Sequence, residues 1–155
     1  MSVPDLVIAG GGIVGLTTAL VAARRGLRVT LVDQPRAGAA SRTAAGILAP
    51  SIGDAAPAVR EAGIAAREFY PQFLGQLLAR SEIAVPLDGE GIIELASTPE
   101  ELETLHARAP ATAERLDASA LTALESALAE HAGALLHPHD GAVDNGIIMI
   151  ALDVA

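Results

Sequence analysis

The feature that most constrains the fold is Gly10-Gly11-Gly12-Ile13-Val14-Gly15, a G-x-G-x-x-G set between a short apolar run and a helix-period segment. The run, Asp5 to Ala9, reads as a central parallel strand buried on both faces. In Ile13 to Arg25 the residues Ile13, Leu16, Leu20 and Ala23 recur at helical spacing, and Gly26 supplies the stop. Arg24 and Arg25 suit the negative end of that helix. Arg28 to Asp33 returns as a second strand, Val29-Thr30-Leu31-Val32, closed by an acid. The three motif glycines serve different ends. Gly10 permits the tight turn, Gly12 admits a pyrophosphate against the backbone, and Gly15 lets the helix pack on the strand. Amides at the helix N-terminus then face phosphate oxygens.

Alone, such a motif is weak evidence in a chain with 15 glycines among 155 residues. Asp33 strengthens it, because it falls about 20 residues on, where a carboxylate accepts hydrogen bonds from an adenosine ribose. The same charge repels a 2′-phosphate. The expectation is a dinucleotide site on a βαβ unit; the alternative is a glycine-rich turn in an ordinary α/β core.

Composition narrows the chemistry. The hydrophobic share of 51% excludes a disordered or collagen-like chain. With no cysteine there is no disulfide framework, zinc-thiolate cluster or thiol nucleophile, so redox chemistry has to come from a bound cofactor. The net charge is -9 and the ten basic residues, all arginine, are scattered, which disfavours nucleic acid as a partner. Leu6 to Ala23 is uncharged and long enough to resemble a membrane span or a signal peptide. The preceding Met1 to Asp5 lacks basic residues and Gly10 to Gly12 interrupts the run, so it reads as a buried soluble segment. No membrane association is expected, and the expected location is cytoplasmic.

The glycine fingerprint does not separate NAD from FAD. After Asp33 the chain runs through Gln34-Pro35-Arg36 and a small-residue stretch to Ser41-Arg42-Thr43-Ala44-Ala45-Gly46-Ile47-Leu48-Ala49-Pro50. A nicotinamide Rossmann domain would continue into another helix and a third parallel strand. A loop of small and hydroxyl residues instead suits close approach along an extended cofactor. Taken singly, Ser41 and Thr43 read as helix-cap or turn hydroxyls.

On these residues the chain resembles the D-amino-acid oxidase family of FAD-dependent oxidoreductases, in its glycine oxidase branch associated with thiamine biosynthesis. Ile8 to Leu16, Val29 to Asp33 and the block from Ser41 to Pro50, similar to that family's S-x-x-A-A-G-x-L-x-P, carry the likeness. It extends through Gly89 to Leu95 and through Gly141-Ala142-Val143-Asp144, which resembles a G-x-V-D signature.

The resemblance implies FAD contacts from Gly10, Gly12, Ile13, Val14 and Gly15 at the pyrophosphate, and from Asp33 and Gln34 at the adenosine. It places Ala40, Ser41, Ala45, Gly46 and Ile47 along the remainder toward the flavin. Ile47 stands where glycine oxidases tend to carry methionine. The implied reaction passes the α-hydrogen of an amino acid or amine as hydride to flavin N5. The imine hydrolyses, and dioxygen reoxidises the flavin to give hydrogen peroxide. The implied partners are that small-molecule substrate and dioxygen, with a homo-oligomer as a further option. The catalytic residues are not identified, because the family's substrate-anchoring arginine and tyrosine and its second glycine-rich segment lie beyond the matching part.

Further on, Asp54 to Ser81 reads as a helix kinked at Pro71, with Val59, Ala62, Ala66, Phe69, Phe73 and Leu77 as the core stripe and Arg60, Glu61, Arg67 and Glu68 off it. The pair Phe69-Tyr70 reads as core packing. Leu87 to Ala96 is strand-like with a turn at Asp88-Gly89. Thr98-Pro99-Glu100-Glu101 opens a helix with a capping box, ending near Arg108. A short helix is expected over Ala118 to Leu128, a strand over Ala134 to His137, and helix at Ile147 to Ala155. The acids read as solvated faces and caps. His137-Pro138-His139-Asp140 supplies too few ligands for a metal and reads as a turn; His106 and His131 sit near helix ends.

The expected fold class is α/β: a Rossmann-like FAD-binding βαβ unit followed by the start of an α+β substrate domain, together an incomplete domain pair. The expected division is residues 1-50 for the N-terminal part of the FAD domain, 51-82 for a linking helix and 83-155 for the beginning of the substrate domain. No third parallel strand follows Ser51, and two strands cannot bury both faces of a Rossmann sheet, so the chain reads as the N-terminal portion of an oxidase. The competing functions are a non-catalytic nucleotide-binding fragment or subunit needing a partner, a flavin monooxygenase, and an NAD-dependent dehydrogenase.

Overall fold

Strand β1 (Leu6–Ala9), helix α1 (Ile13–Arg24) and strand β2 (Val29–Val32) form the expected βαβ unit. The computed structural model describes residues 3–34 and 37–155, so Pro35 and Arg36 of the small-residue loop lie outside the described residues, as do Met1 and Ser2. The strands pair in parallel from Leu6 with Val29 to Ala9 with Val32. Their start is clamped by Asp5, whose carboxylate accepts the Arg28 main-chain N–H at 3.0 Å, Nε at 2.9 Å and Nη2 at 2.8 Å. Side chains alternate across the pleat. Leu6, Ile8, Val29 and Leu31 lie on the partly covered face, while Val7 and Val32 are 60% and 58% exposed. This corrects the expectation of a strand buried on both faces: the sheet has two strands, and α1 packs on it from one side. On α1 the buried residues are Leu20 and Ala22 rather than Ala23, and Gly26 (φ +83°) follows the C-terminal turn.

The chain divides into two compact units, the first being Met1–Ile47, Phe69–Leu87 and Val143–Ala155 and the second Leu48–Glu68 and Asp88–Ala142. Helix α3 (Pro57–Ser81) contributes to both, with Pro71 inside it as expected. Three short strands, β3 (Ile47–Leu48), β4 (Leu87–Asp88) and β8 (Gly141–Val143), fall where the chain passes from one unit to the other.

In the first unit the buried apolar residues come from α1, from the C-terminal half of α3 (Phe73, Leu74, Leu77), from Val143 of β8 and from α6 (Asn145–Val154), which buries Ile148, Met149, Ala151 and Leu152. Asp144 caps α6 by accepting the Ile147 N–H at 2.8 Å. The segment read as a loop of small and hydroxyl residues contains one helical turn, α2 (Ala40–Thr43), closed by the Ala44 N–H on the Ala40 carbonyl at 2.9 Å.

The second unit holds an antiparallel sheet of β5 (Ile92–Ala96), β7 (Gly133–His137) and β6 (Glu114–Asp117), with β7 central. Ala134 and Leu135 are buried there, and Leu105 of α4 (Pro99–Ala107) packs with Ala96 and Leu135. Thr98 caps α4 through the Glu101 N–H, but the Glu101 carboxylate reaches back to Ser97 N–H rather than to the cap residue itself. Strand β6, with its sequence Glu-Arg-Leu-Asp, carries little apolar pattern and has no counterpart among the expected elements. The helix expected over 118–128 is divided into α5 (Ala118–Leu124) and a 3-10 turn at Ser126–Leu128, because Glu125 between them is extended.

In its N-terminal half α3 turns a different face inward than its apolar stripe implies, whereas Phe73 and Leu77 of that stripe are buried as expected. Val59 is 64% and Phe69 48% exposed, whereas Arg60 and Arg67 are turned in. Arg67 is turned in toward Asp140, fully buried in the second unit, which corrects the reading of the acids as solvated. An isolated buried carboxylate is strongly unfavourable. Asp140 is bonded by the Arg67 guanidinium, by Ser51 N–H at 3.2 Å and by Ser51 Oγ at 2.9 Å. Arg60 in turn donates to the Ser51 and Gly53 carbonyls at 2.8 and 2.5 Å. Phe69 packs at a tilt on Phe73, ring centroids 6.4 Å apart, with its own outer surface open. Among the described residues no helix is long and apolar enough to cross a membrane.

Candidate functional site

At the end of β1, Gly10 adopts φ +113° while its N–H donates to the Val32 carbonyl at 2.8 Å, so the chain turns sharply yet remains tied to the sheet. A side chain at this φ is strained, which is the reason for glycine here. Gly12 is the N-cap of α1 and brings no capping side chain. A Cβ on Gly15 would overlap the Gly10 carbonyl oxygen, so glycine at 15 permits the closeness of helix to turn.

Two side chains stand over this turn. A Cβ on Gly11 would lie 2.8 Å from the Asp33 carboxyl carbon, and one on Gly12 would lie 2.8 Å from Ser41 Oγ. Asp33 thus reaches in from the end of β2 and Ser41 from α2. The Ser41 hydroxyl accepts the Ile13 N–H at 3.0 Å, satisfying one of the first-turn amides that a helix leaves unpaired.

The result is a cleft of about 830 Å³ in the first unit, and Gly10, Gly12, Asp33, Gln34 and Ser41 all line it. Ile13, Val14, Gly15 and Ala40 flank the cleft without lining it, and Val14 points outward at 77% exposure. Ala45, Gly46 and Ile47 are not brought to this cleft. Gly46 takes φ +77° and its carbonyl accepts the Val143 N–H at 2.9 Å, and Ile47 is 60% exposed.

Seven lining residues are not among the expected site residues: Val32 and Ala37 to Ala39 beside the expected ones, and Gly11, Arg42 and Met149. Gly11 reads as a filler position of the motif, and Arg42 as one of several scattered cations. Met149 and the bracing of α2 come from α6, more than a hundred residues away. Asn145 Nδ2 donates to the Ser41 carbonyl at 2.6 Å, and Arg42 Nη2 donates to Asp153 Oδ2 at 2.9 Å. Among the described lining residues Arg42 is the one cation and Asp33 the one carboxylate.

In the second unit His137 ends β7 buried, its Nε2 3.2 Å from Glu94 Oε2, and Asp140 N–H returns to the His137 carbonyl at 3.1 Å, a turn as expected. Among the described residues no group of three or more His, Asp or Glu could hold a metal ion.

A family model described as "DAO: FAD dependent oxidoreductase" matches residues 5–153. Among curated proteins, the "Bifunctional protein ThiO/ThiG" of Synechocystis sp. is 31% identical over 152 residues, covering 96% of this chain and 22% of that protein. Among solved structures, glycine oxidase from Geobacillus kaustophilus superimposes with a TM-score of 0.86 at 28% identity, over 96% of this chain and 43% of that one. Glycine oxidase from Bacillus cereus gives 0.85 at 26% identity, over 97% and 44%. The chain therefore spans less than half the length of these oxidases and about a fifth of the Synechocystis protein. The residues present fit the cofactor named by the family. Backbone leaves no room for a Cβ at Gly15, the Asp33 and Ser41 side chains stand 2.8 Å from where a Cβ on Gly11 and Gly12 would lie, and the helix starts without a capping side chain of its own, an arrangement compatible with an ADP moiety.

Proposed function

Because the chain belongs to the DAO family of FAD-dependent oxidoreductases, we propose that it forms the ADP-binding part of an oxidase acting on a small amine or amino acid, of glycine oxidase type. The observation that supports this reading is the placement of Asp33 over Gly11 and Ser41 over Gly12, which brings a carboxylate and a hydroxyl to the cleft lined by the glycine turn.

In this reading the main chain at Gly10, Gly12, Ile13, Val14 and Gly15 holds the pyrophosphate, and the outward-pointing Val14 takes part by its amide alone. Asp33 and Gln34 hold the adenosine, and Ala40 and Ser41 follow along the diphosphate. Ala45, Gly46 and Ile47 belong to the flavin end of the cofactor. FAD, when bound, supplies the two-electron acceptor for oxidation of a CH–NH bond, with dioxygen as the final oxidant. The support for an amine or amino-acid substrate is the likeness to glycine oxidases and to the ThiO/ThiG protein.

An absorption spectrum of the purified chain, taken after incubation with FAD and gel filtration, tests this assignment. Co-eluting flavin bands that Gly12→Val abolishes are expected. A protein that takes up NAD and leaves FAD behind would transfer the site to the dehydrogenase class. With glycine, sarcosine or a D-amino acid, this chain by itself is expected to give no peroxide above a protein-free control.

A further inference from the structure

The proposed diphosphate site has an imbalance of charge. Its glycine turn offers amide dipoles, while the carboxylate that lines it, Asp33, repels an anionic ligand. Among the described lining residues the compensating charge is Arg42, next to Ser41 on α2 and on the cleft wall. We propose that Arg42 is a phosphate-directed cation whose strength is held down by Asp153 of α6. This rests on the nucleotide-site reading above.

Arg42 presents five N–H donors in a planar fork, of which Asp153 engages one, Nη2 to Oδ2 at 2.9 Å. The pair is exposed, with 56% and 43% of the two side chains accessible. A single exposed contact of this kind is weak and screened by solvent. A diphosphate oxygen therefore competes well for the same guanidinium through charge-assisted hydrogen bonds. Asp153 does not line the cleft, so it acts on the ligand through Arg42 as an opposing charge.

The experiment is a calorimetric titration of the full chain and its variants with ADP and, separately, with adenosine. Arg42→Gln is expected to weaken ADP about tenfold and to leave adenosine unchanged. Asp153→Asn is expected to tighten ADP by about two- to fivefold, an effect absent in the Arg42→Gln background and reduced by added salt. If Asp153→Asn weakens ADP or leaves it unchanged, the inference fails while the nucleotide site stands. If the wild-type chain binds neither ADP nor adenosine, the site itself is misread. Unchanged adenosine affinity in both variants also shows that the cleft remains folded.

Discussion

The Ser41 hydroxyl accepts the Ile13 main-chain N–H at 3.0 Å, joining α2 to the first turn of α1 across 28 positions of sequence. Since Gly12 has no side chain to cap the helix, Ser41→Ala leaves that half-buried donor unpaired. A loss of about 1 kcal/mol is expected. Urea midpoints of the two proteins measure it, and Ser41→Thr, which keeps the oxygen, should recover most of it.

Gly15→Ala tests the contact between helix and turn. The added methyl meets the Gly10 carbonyl oxygen, a backbone atom that cannot swing aside. Overpacking of this kind costs about 1–3 kcal/mol. A melting temperature equal to that of the wild type would show that the turn yields to the methyl group.

Asp33→Ala removes the carboxylate above Gly11. If it receives the ribose hydroxyls, the mutant binds FAD more weakly by about 1.5–3 kcal/mol. Fluorescence titration reads this directly, and an unchanged dissociation constant would remove Asp33 from the binding role.

In the second unit, Arg67→Met strands the fully buried Asp140 carboxylate with, among the described residues, only Ser51 as partner. Breaking a buried pair from one side costs about 3–5 kcal/mol. Adding Asp140→Asn to Arg67→Met should recover part of this, because the stranded charge is gone. Denaturation of the single and double variants gives the comparison.

Acid should weaken the start of the βαβ unit. Hydrogen bonds from the Arg28 side chain, and then from its main-chain N–H, hold the Asp5 carboxyl below the usual aspartate range. The stabilisation from this pair is therefore complete above the unfolded-state pKa of Asp5 and is lost as pH falls through the depressed folded-state value. The melting-temperature gap between wild type and Asp5→Asn should be constant near neutrality and close only in strong acid. A gap that closes as pH rises would contradict the assignment.

The βαβ unit is legible in the sequence because its signals are local: two β-branched runs, a glycine motif between them and an acid at the end of the second strand. The lining of the cleft by Gly10, Gly12 and Asp33 follows from that local order, and that by Gln34 and Ser41 from the resemblance to the oxidase family. The support behind it is not legible, since Asn145, Met149 and Asp153 reach the site only through the folding of α6 onto α2 and carry no motif of their own. Arg60 and Arg67 escape for a similar reason. Hydrophobic periodicity assigns cations to solvent, and here the buried Asp140 turns Arg67 inward while the Ser51 and Gly53 carbonyls hold Arg60. The open face of β1 and β2 differs from expectation because an apolar run looks the same in sequence whether or not something covers it.

That open face governs how the purified material behaves. Val7 and Val32 lie on a narrow parallel ribbon with no further strand paired to it among the described residues, a template on which extended segments of other molecules can add. Mutual repulsion from a net charge of -9 works against such pairing. Colloidal stability therefore turns on ionic strength: concentrated salt screens the repulsion, leaves the ribbon as adhesive as before, and favours turbidity.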